Sequence, residues 1–184
     1  MIENMERILA ETKEIVGERI RLRRFSLADV ADVLAYGGDP QAMKYLVWNG
    51  ISTLEEAAAA ITDVYMPRSG SFAIALKESG RCIGTFELRP DPKNEKAGFG
   101  YVLNREFWNQ GYMTKALRLM LRFCFETLEL NRVESTHYVG NEGSGRVMEK
   151  AGMKQEGFAP QEVKVKGVFY DVVHYGILRA DYRG

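Results

Sequence analysis

Between residues 71 and 128 the spacing of apolar side chains changes from two to about 3.6, and this one change confines the chain to folds in which an antiparallel meander is backed by a helix. Residues 71–76, 82–88 and 97–103 are strand-like runs, joined by a Glu78-Ser79-Gly80-Arg81 turn and a polar loop at 90–96. From 114 to 128 the spacing is helical: Lys115, Arg118, Arg122, Glu126 and Glu129 form one polar stripe and nearly everything else is apolar, so this helix covers a sheet face.

The flanking segments extend the pattern. Residues 4–16 place Met5, Ile8, Leu9, Thr12, Ile15 and Val16 at helical spacing before Gly17, and residues 19–25 alternate charge with apolar side chains as a half-buried strand does. Ser26 with Asp29 opens a helix that Gly37-Gly38 closes, and Ser52-Thr53-Leu54-Glu55 is a capping-box pattern ahead of an alanine-rich helix. A strand at 133–139, a helix at 144–151 closed by Gly152 and strand-like segments at 161–165 and 169–178 finish the chain. The order β-α-α-β-β-β-α-β-α-β-β predicts an α+β fold, a mixed sheet flanked by helices. Residues 17–184 read as a single domain, with residues 1–16 a helix packed on it or extending from it.

Composition removes several function classes. Lys+Arg 25 against Asp+Glu 25 leaves no net field to draw in nucleic acid, so an anion site has to be local. No run approaches about 18 apolar residues and no basic start precedes an apolar block, so neither a membrane span nor a leader is expected and the chain reads as cytoplasmic. Cys82 and Cys124 make neither a disulfide framework nor a zinc site; both read as core thiols, and no metal is expected.

Two segments carry chemistry. Residues 104–114 join the strand at 97–103 to the long helix, a turn that delivers unpaired backbone N–H groups and the positive helix end, with Gly111 admitting close approach. The pattern is neither a Walker loop nor a Gly-x-Gly-x-x-Gly turn. The second segment, Asn141 to Gly152, follows the strand at 133–139. Ser144 is a good helix cap and Asn141 a good turn residue, which is the bland alternative. Placed on neighbouring strands, the two helix starts would flank one cleft.

The motifs Phe107-Trp108-Asn109-Gln110-Gly111-Tyr112-Met113-Thr114, Gly100-Tyr101-Val102-Leu103, Asn141-x-x-Ser144-x-x-Val147-x-Glu149-Lys150-x-Gly152 and Gly167-x-x-x-Asp171-x-x-x-Tyr175 together resemble the GNAT superfamily of N-acetyltransferases, in its RimJ/RimL-like branch. The resemblance implies a mostly antiparallel sheet split between two central strands, and acetyl-CoA as cosubstrate. It implies that backbone groups of Val102, Leu103 and Asn104 line the pantetheine and thioester, and that Asn109, Gln110, Gly111, Tyr112, Met113 and Thr114 cradle the pyrophosphate. Asn141 would bond the pantetheine arm, and Ser144 would stand by the sulfur to protonate the departing thiolate. Trp108 replaces the usual Arg or Gln and Met113 a frequent Gly or Ala. Met148 stands where many members put a tyrosine acid, and Gly98 where relatives of this branch carry a glutamate base.

The chemistry implied is direct attack of a neutral amine on the thioester, with an N–H donor of Val102 or Leu103 holding the oxyanion, worth roughly 3–4 kcal/mol. At pH 7 deprotonating a lysine costs about 4.6 kcal/mol and an α-amine about 1.1. A protein N-terminal α-amine, of the ribosomal-protein kind, therefore asks least of the base, for which Glu87 and Glu162 are candidates. The alternatives are a small-molecule acceptor (a polyamine, amino acid or antibiotic) and an acyl-CoA-binding or sensing module with little catalysis. A homodimer is compatible with either.

Overall fold

The period-two runs pair into one eight-stranded sheet. A computed structural model describes residues 2–184, with side chains from residue 4 onward; residue 1 of the expected N-terminal helix lies outside the described residues. The strands are β1 (Glu14–Val16), β2 (Ile20–Arg23), β3 (Ser71–Leu76), β4 (Cys82–Asp91), β5 (Lys96–Leu103), β6 (Arg132–Tyr138), β7 (Lys154–Val165) and β8 (Val168–Leu178). Their order is β1-β2-β3-β4-β5-β6-β8-β7. Every neighbouring pair is antiparallel except β5 and β6, which run parallel because the long helix carries the chain back between them. The expected α+β architecture is thus the observed one.

Helices cover both faces. α1 (Ile2–Glu11), α4 (Tyr112–Arg122) and α5 (Glu142–Lys150) lie on one side, where Leu9, Leu117, Met120 and Met148 bury against Leu22, Phe72, Phe86 and Phe99. α2 (Val30–Gly37) and α3 (Leu54–Ala59) cover part of the other, where Val33, Tyr36 and Ile61 pack on Ala73, Cys82 and Val102. Both cysteines are buried, as core thiols should be. Among the described residues no helix is long and apolar enough to cross a membrane.

Several boundaries differ from the sequence reading. The N-terminal helix stops at Glu11, and residues 14–16 pair with β2, with Ile15 opposite Leu22. One buried apolar side chain satisfies both a helical and an alternating pattern over so short a stretch. The cap of α3 is Thr53, not Ser52: its Oγ1 accepts from Glu56 N at 3.1 Å, while Glu56 Oε2 takes the Ser52 N–H at 2.6 Å. The helix expected over 114–128 begins at Tyr112 and opens at Phe123 into a π-helical turn, in which Leu128 N donates to Phe123 O.

Asp29 ties β2 to the start of α2. Arg23 grips both its carboxylate oxygens, at 2.8 and 2.6 Å, and Ser26 N donates at 2.9 Å. Burial alone raises this carboxyl, but the hydrogen bonds from Arg23 and Ser26 outweigh it and hold the group below its ordinary 3.8. A lowered folded value stabilises the protein above the unfolded pKa and ceases to do so as pH falls through the folded one. Asp29→Ala should cost about 2 kcal/mol at pH 7. In urea titrations the advantage of wild type over Asp29→Asn should shrink below about pH 4; a gap that does not change with pH would contradict this account.

Candidate active site: a split in the sheet

β5 and β6 pair only at Lys96/Arg132, Ala97/Val133 and Gly98/Glu134. Beyond Gly98 the strands part, and Ser135 Oγ donates to Phe99 O at 2.8 Å where the ladder ends. Which backbone groups line the opening follows from alternation along β5. Asn104 N donates to Ile83 O at 2.8 Å, so Asn104, Val102 and Gly100 face β4, while Phe99, Tyr101 and Leu103 face the split. Trp108 Nε1 takes the Leu103 carbonyl at 2.8 Å, leaving Tyr101 N–H, Tyr101 C=O and Leu103 N–H directed into the opening. On the other bank Val139 N bonds Asp171 O and Arg179 N bonds Asn131 O, so the odd residues of β6 face β8, and Thr136 and Tyr138 face the split.

This corrects the expected backbone set. Of Val102, Leu103 and Asn104, only Leu103 turns its amide into the split. Val102 and Asn104 spend theirs on β4, and the Asn104 side chain caps Glu106 N at 3.0 Å. Tyr101 takes their place, one residue earlier in the alternation.

The split leads to the turn before α4. Asn104 starts a short 3₁₀ turn, Arg105–Phe107, after which Asn109 (φ 60°) and Gly111 (φ 80°) adopt left-handed conformations that swing the chain into the helix. The first internal bond is Lys115 N to Gly111 O at 3.0 Å. Among the described residues, none of the backbone N–H groups of residues 109–114 donates to a protein acceptor. A Cβ at Gly111 would meet nothing within 4 Å, so the space before these donors is open. Met113 points into the core at 5% exposure, Trp108 folds back on β5, and Gln110 Nε2 bonds Glu106 O at 2.6 Å. The turn therefore presents amides, not side chains, at a positive helix end.

α5 brings the second constellation to the same opening. Asn141, not Ser144, occupies the N-cap position, without a side-chain capping bond; Ser144 falls in the first turn, with its N–H on Asn141 O at 3.0 Å. The Ser144 hydroxyl is thus free of capping duty and lies 2.8 Å from the Tyr101 phenol. Burial pushes that phenol up to about 12, partly opposed by its hydrogen bond to Ser144, so it holds its proton at neutral pH. Gly145 lets the helix approach this closely, since a Cβ there would lie 2.8 Å from His137 Nε2.

A narrow opening lined by free strand amides, ending at a cluster of helix-start amides, is a site for an extended ligand with a polyanionic end, and the sequence comparison says which. The acetyltransferase (GNAT) domain family matches residues 19–154. The chain belongs to the GNAT acetyltransferases. The uncharacterised N-acetyltransferase p20 of Bacillus licheniformis is 31% identical over 173 residues, covering 91% of this chain and 97% of its own. YdaF of Bacillus subtilis (strain 168), named as a ribosomal N-acetyltransferase, is 40% identical over 110 residues, 59% of this chain and 60% of its own. The crystal structure of a GNAT-family acetyltransferase from Bacillus anthracis matches with a TM-score of 0.83 over 91% of this chain and 99% of that one, at 28% identity. This GNAT protein is an acetyl-CoA-dependent N-acetyltransferase.

In this GNAT sheet the two carboxylates singled out from sequence lie apart. Glu87 projects from β4 on the α2–α3 side, one strand from Gly100, and pairs with Arg68 at 2.7 Å. Glu162 sits where β7 bulges between Ala159 and Val163; Gln161 (φ 49°) makes the bulge, and Asp171 Oδ1 accepts its N–H at 2.8 Å. Its Oε2 lies 2.6 Å from His174 Nε2, and His174 stands opposite Thr136 on the split's far bank. Burial pushes the Cys82 thiol up to about 12 and Cys124 higher still, so neither is a nucleophile. Among the described residues no cluster of His, Cys, Asp and Glu is arranged to hold a metal. Two hollows of about 350 Å³ lie elsewhere, one beside Arg122 and Glu126 and one beside Phe25 and Met66, and neither touches the split. Sequence reasoning missed Tyr101 as a functional side chain; its hydroxyl in a strand directly before the turn was the available signal.

Proposed function

We propose that this GNAT enzyme moves an acetyl group to a primary amine by direct attack, and that the amine is a protein N-terminal α-amine. The observation that carries the reading is the line of free donors running from Tyr101 and Leu103 to residues 109–114, with the Tyr101–Ser144 hydroxyl pair beside it. Acetyl-CoA supplies an activated acyl carbonyl with a thiol leaving group. The amides of residues 109–114 hold its diphosphate, and Asn141 and the β5 amides hold the arm. The Leu103 and Tyr101 N–H groups are the donors for a carbonyl oxygen that gains charge. Ser144 and Tyr101 keep a proton on the α5 side for the departing sulfur. On the opposite face Glu162 takes the amine's proton, in contact with His174. The likeness to YdaF supports a ribosomal acceptor, and the small cost of deprotonating an α-amine favours an N-terminus over a lysine.

Thiol release over a library of peptide N-termini, polyamines and free amino acids tests this. Peptide N-termini should lead, and Glu162→Gln should lower kcat on them about a hundredfold. Equal rates for Glu162→Gln and wild type would remove Glu162 from the role, and binding of acetyl-CoA without release on any amine would favour a sensing module.

A further inference from the structure

Of the cations on β4, β5 and β6 among the described residues, Lys96 and Arg132 are paired with carboxylates and Arg89 is not. Arg68 holds Glu87 at 2.7 Å, and Lys96 and Arg132 share Glu134 at 2.6 and 2.8 Å. Arg132 also reaches Glu156, and His174 meets Glu162 at 2.6 Å. Arg89 has no carboxylate partner among the described residues; its one hydrogen bond runs to Phe99 O at 2.7 Å. Yet it is exposed and stands at the mouth of the split. Arg89 faces Gly98 across β4 and β5, and its guanidinium lies over Gly100, where a Cβ would come within 3.5 and 3.6 Å of its two terminal nitrogens. Its charge is felt at the Tyr138 phenol on the opposite bank, where Tyr138 stacks on Tyr170 at 5.5 Å. An unpaired guanidinium therefore stands over the opening on the face opposite α5, the face left for an acceptor amine.

We propose that Arg89 binds a carboxylate carried by the acceptor close to its reacting amine. The proposal rests on the acetyl transfer proposed above, not on its choice of a protein N-terminus, and limits the acceptor to amines that carry a carboxylate. A guanidinium offers parallel donors that match a carboxylate, which an ammonium does not. An unpaired cation here also disfavours polyamines, whose second charge it repels. The carboxylate has two sources with the same chemistry: the α-carboxylate of a free amino acid, or an acidic side chain in the first positions of a peptide.

Paired acceptors decide the matter: free amino acids against their α-amides, and peptides beginning Ser-Glu against Ser-Gln, read as kcat/KM by thiol release. Wild type should favour the carboxylate member about tenfold or more in one of the two arms, and that arm identifies the source. Arg89→Gln should bring the ratio to about one, and Arg89→Lys should restore part of it. Equal rates within both pairs in wild type, or a loss in Arg89→Gln that falls equally on both members or only on the KM for acetyl-CoA, would overturn the proposal. Activity without discrimination removes Arg89's role alone, whereas no release from any acceptor removes the transferase reading and this proposal with it.

Discussion

Tyr101→Phe should lower kcat about a hundredfold, and adding Ser144→Ala should lower it little further. The two hydroxyls are 2.8 Å apart and act on one proton, so removing either breaks the same chain. General-acid assistance is worth roughly 10²–10⁴ in rate. Ser144 alone is a poor acid, and what gives it a proton to pass on is the neighbouring phenol, pushed by burial up to about 12. The sign of the pH effect follows: a raised phenol stays protonated throughout the neutral range, so the loss in Tyr101→Phe should be the same at pH 6 and at pH 9, with no alkaline limb from this group below about pH 10. The measurement is kcat and KM for acetyl-CoA across that range in both single variants and the double. Losses that multiply in the double variant would mean that the hydroxyls act separately. A loss confined to KM would mean that Tyr101 only shapes the slot.

How much of this was legible in the sequence varies with the range of the interaction that decides it. The meander, the long helix and the turn before it could be read, because apolar alternation, a one-sided stripe and Gly111 are local signals. Which amides line the split could not be read. That depends on which way Asn104 N points, and its partner Ile83 is a non-local neighbour on β4. The same holds for Ser144. Its sequence context fits a cap, but Asn141 starts the helix one turn earlier, and only then does the hydroxyl turn to a tyrosine 43 residues away. Glu162 could be named as a carboxylate near the last strands, but its position rests on a bulge that Asp171 stabilises and on a contact with His174 from β8. Arg89 gave no signal at all, since what marks it is the lack of a carboxylate partner where Lys96 and Arg132 on the neighbouring strands each have one, and that depends on tertiary neighbours.

The amides of residues 109–114 predict a second large effect, on binding. Gly111→Val should raise the KM for acetyl-CoA about a hundredfold, while S-acetylpantetheine, which lacks the diphosphate, should be used equally well by variant and wild type. In the protein itself a Cβ here meets nothing within 4 Å, so the fold leaves room where the side chain begins. The cost of a β-branched residue at φ 80° is of order 1–2 kcal/mol, a modest fall in Tm. The loss should instead come from the ligand. Charge-assisted bonds from backbone N–H to phosphate oxygens are worth roughly 1.5–3 kcal/mol each, and a branched side chain in front of the donors forces the diphosphate away from more than one. About 2.7 kcal/mol lost is a hundredfold in affinity. The two donors separate this from general damage, since a disordered turn would also misplace α4 and the end of β5, and would slow both alike. Equal losses with acetyl-CoA and S-acetylpantetheine would show that the turn does not hold the diphosphate.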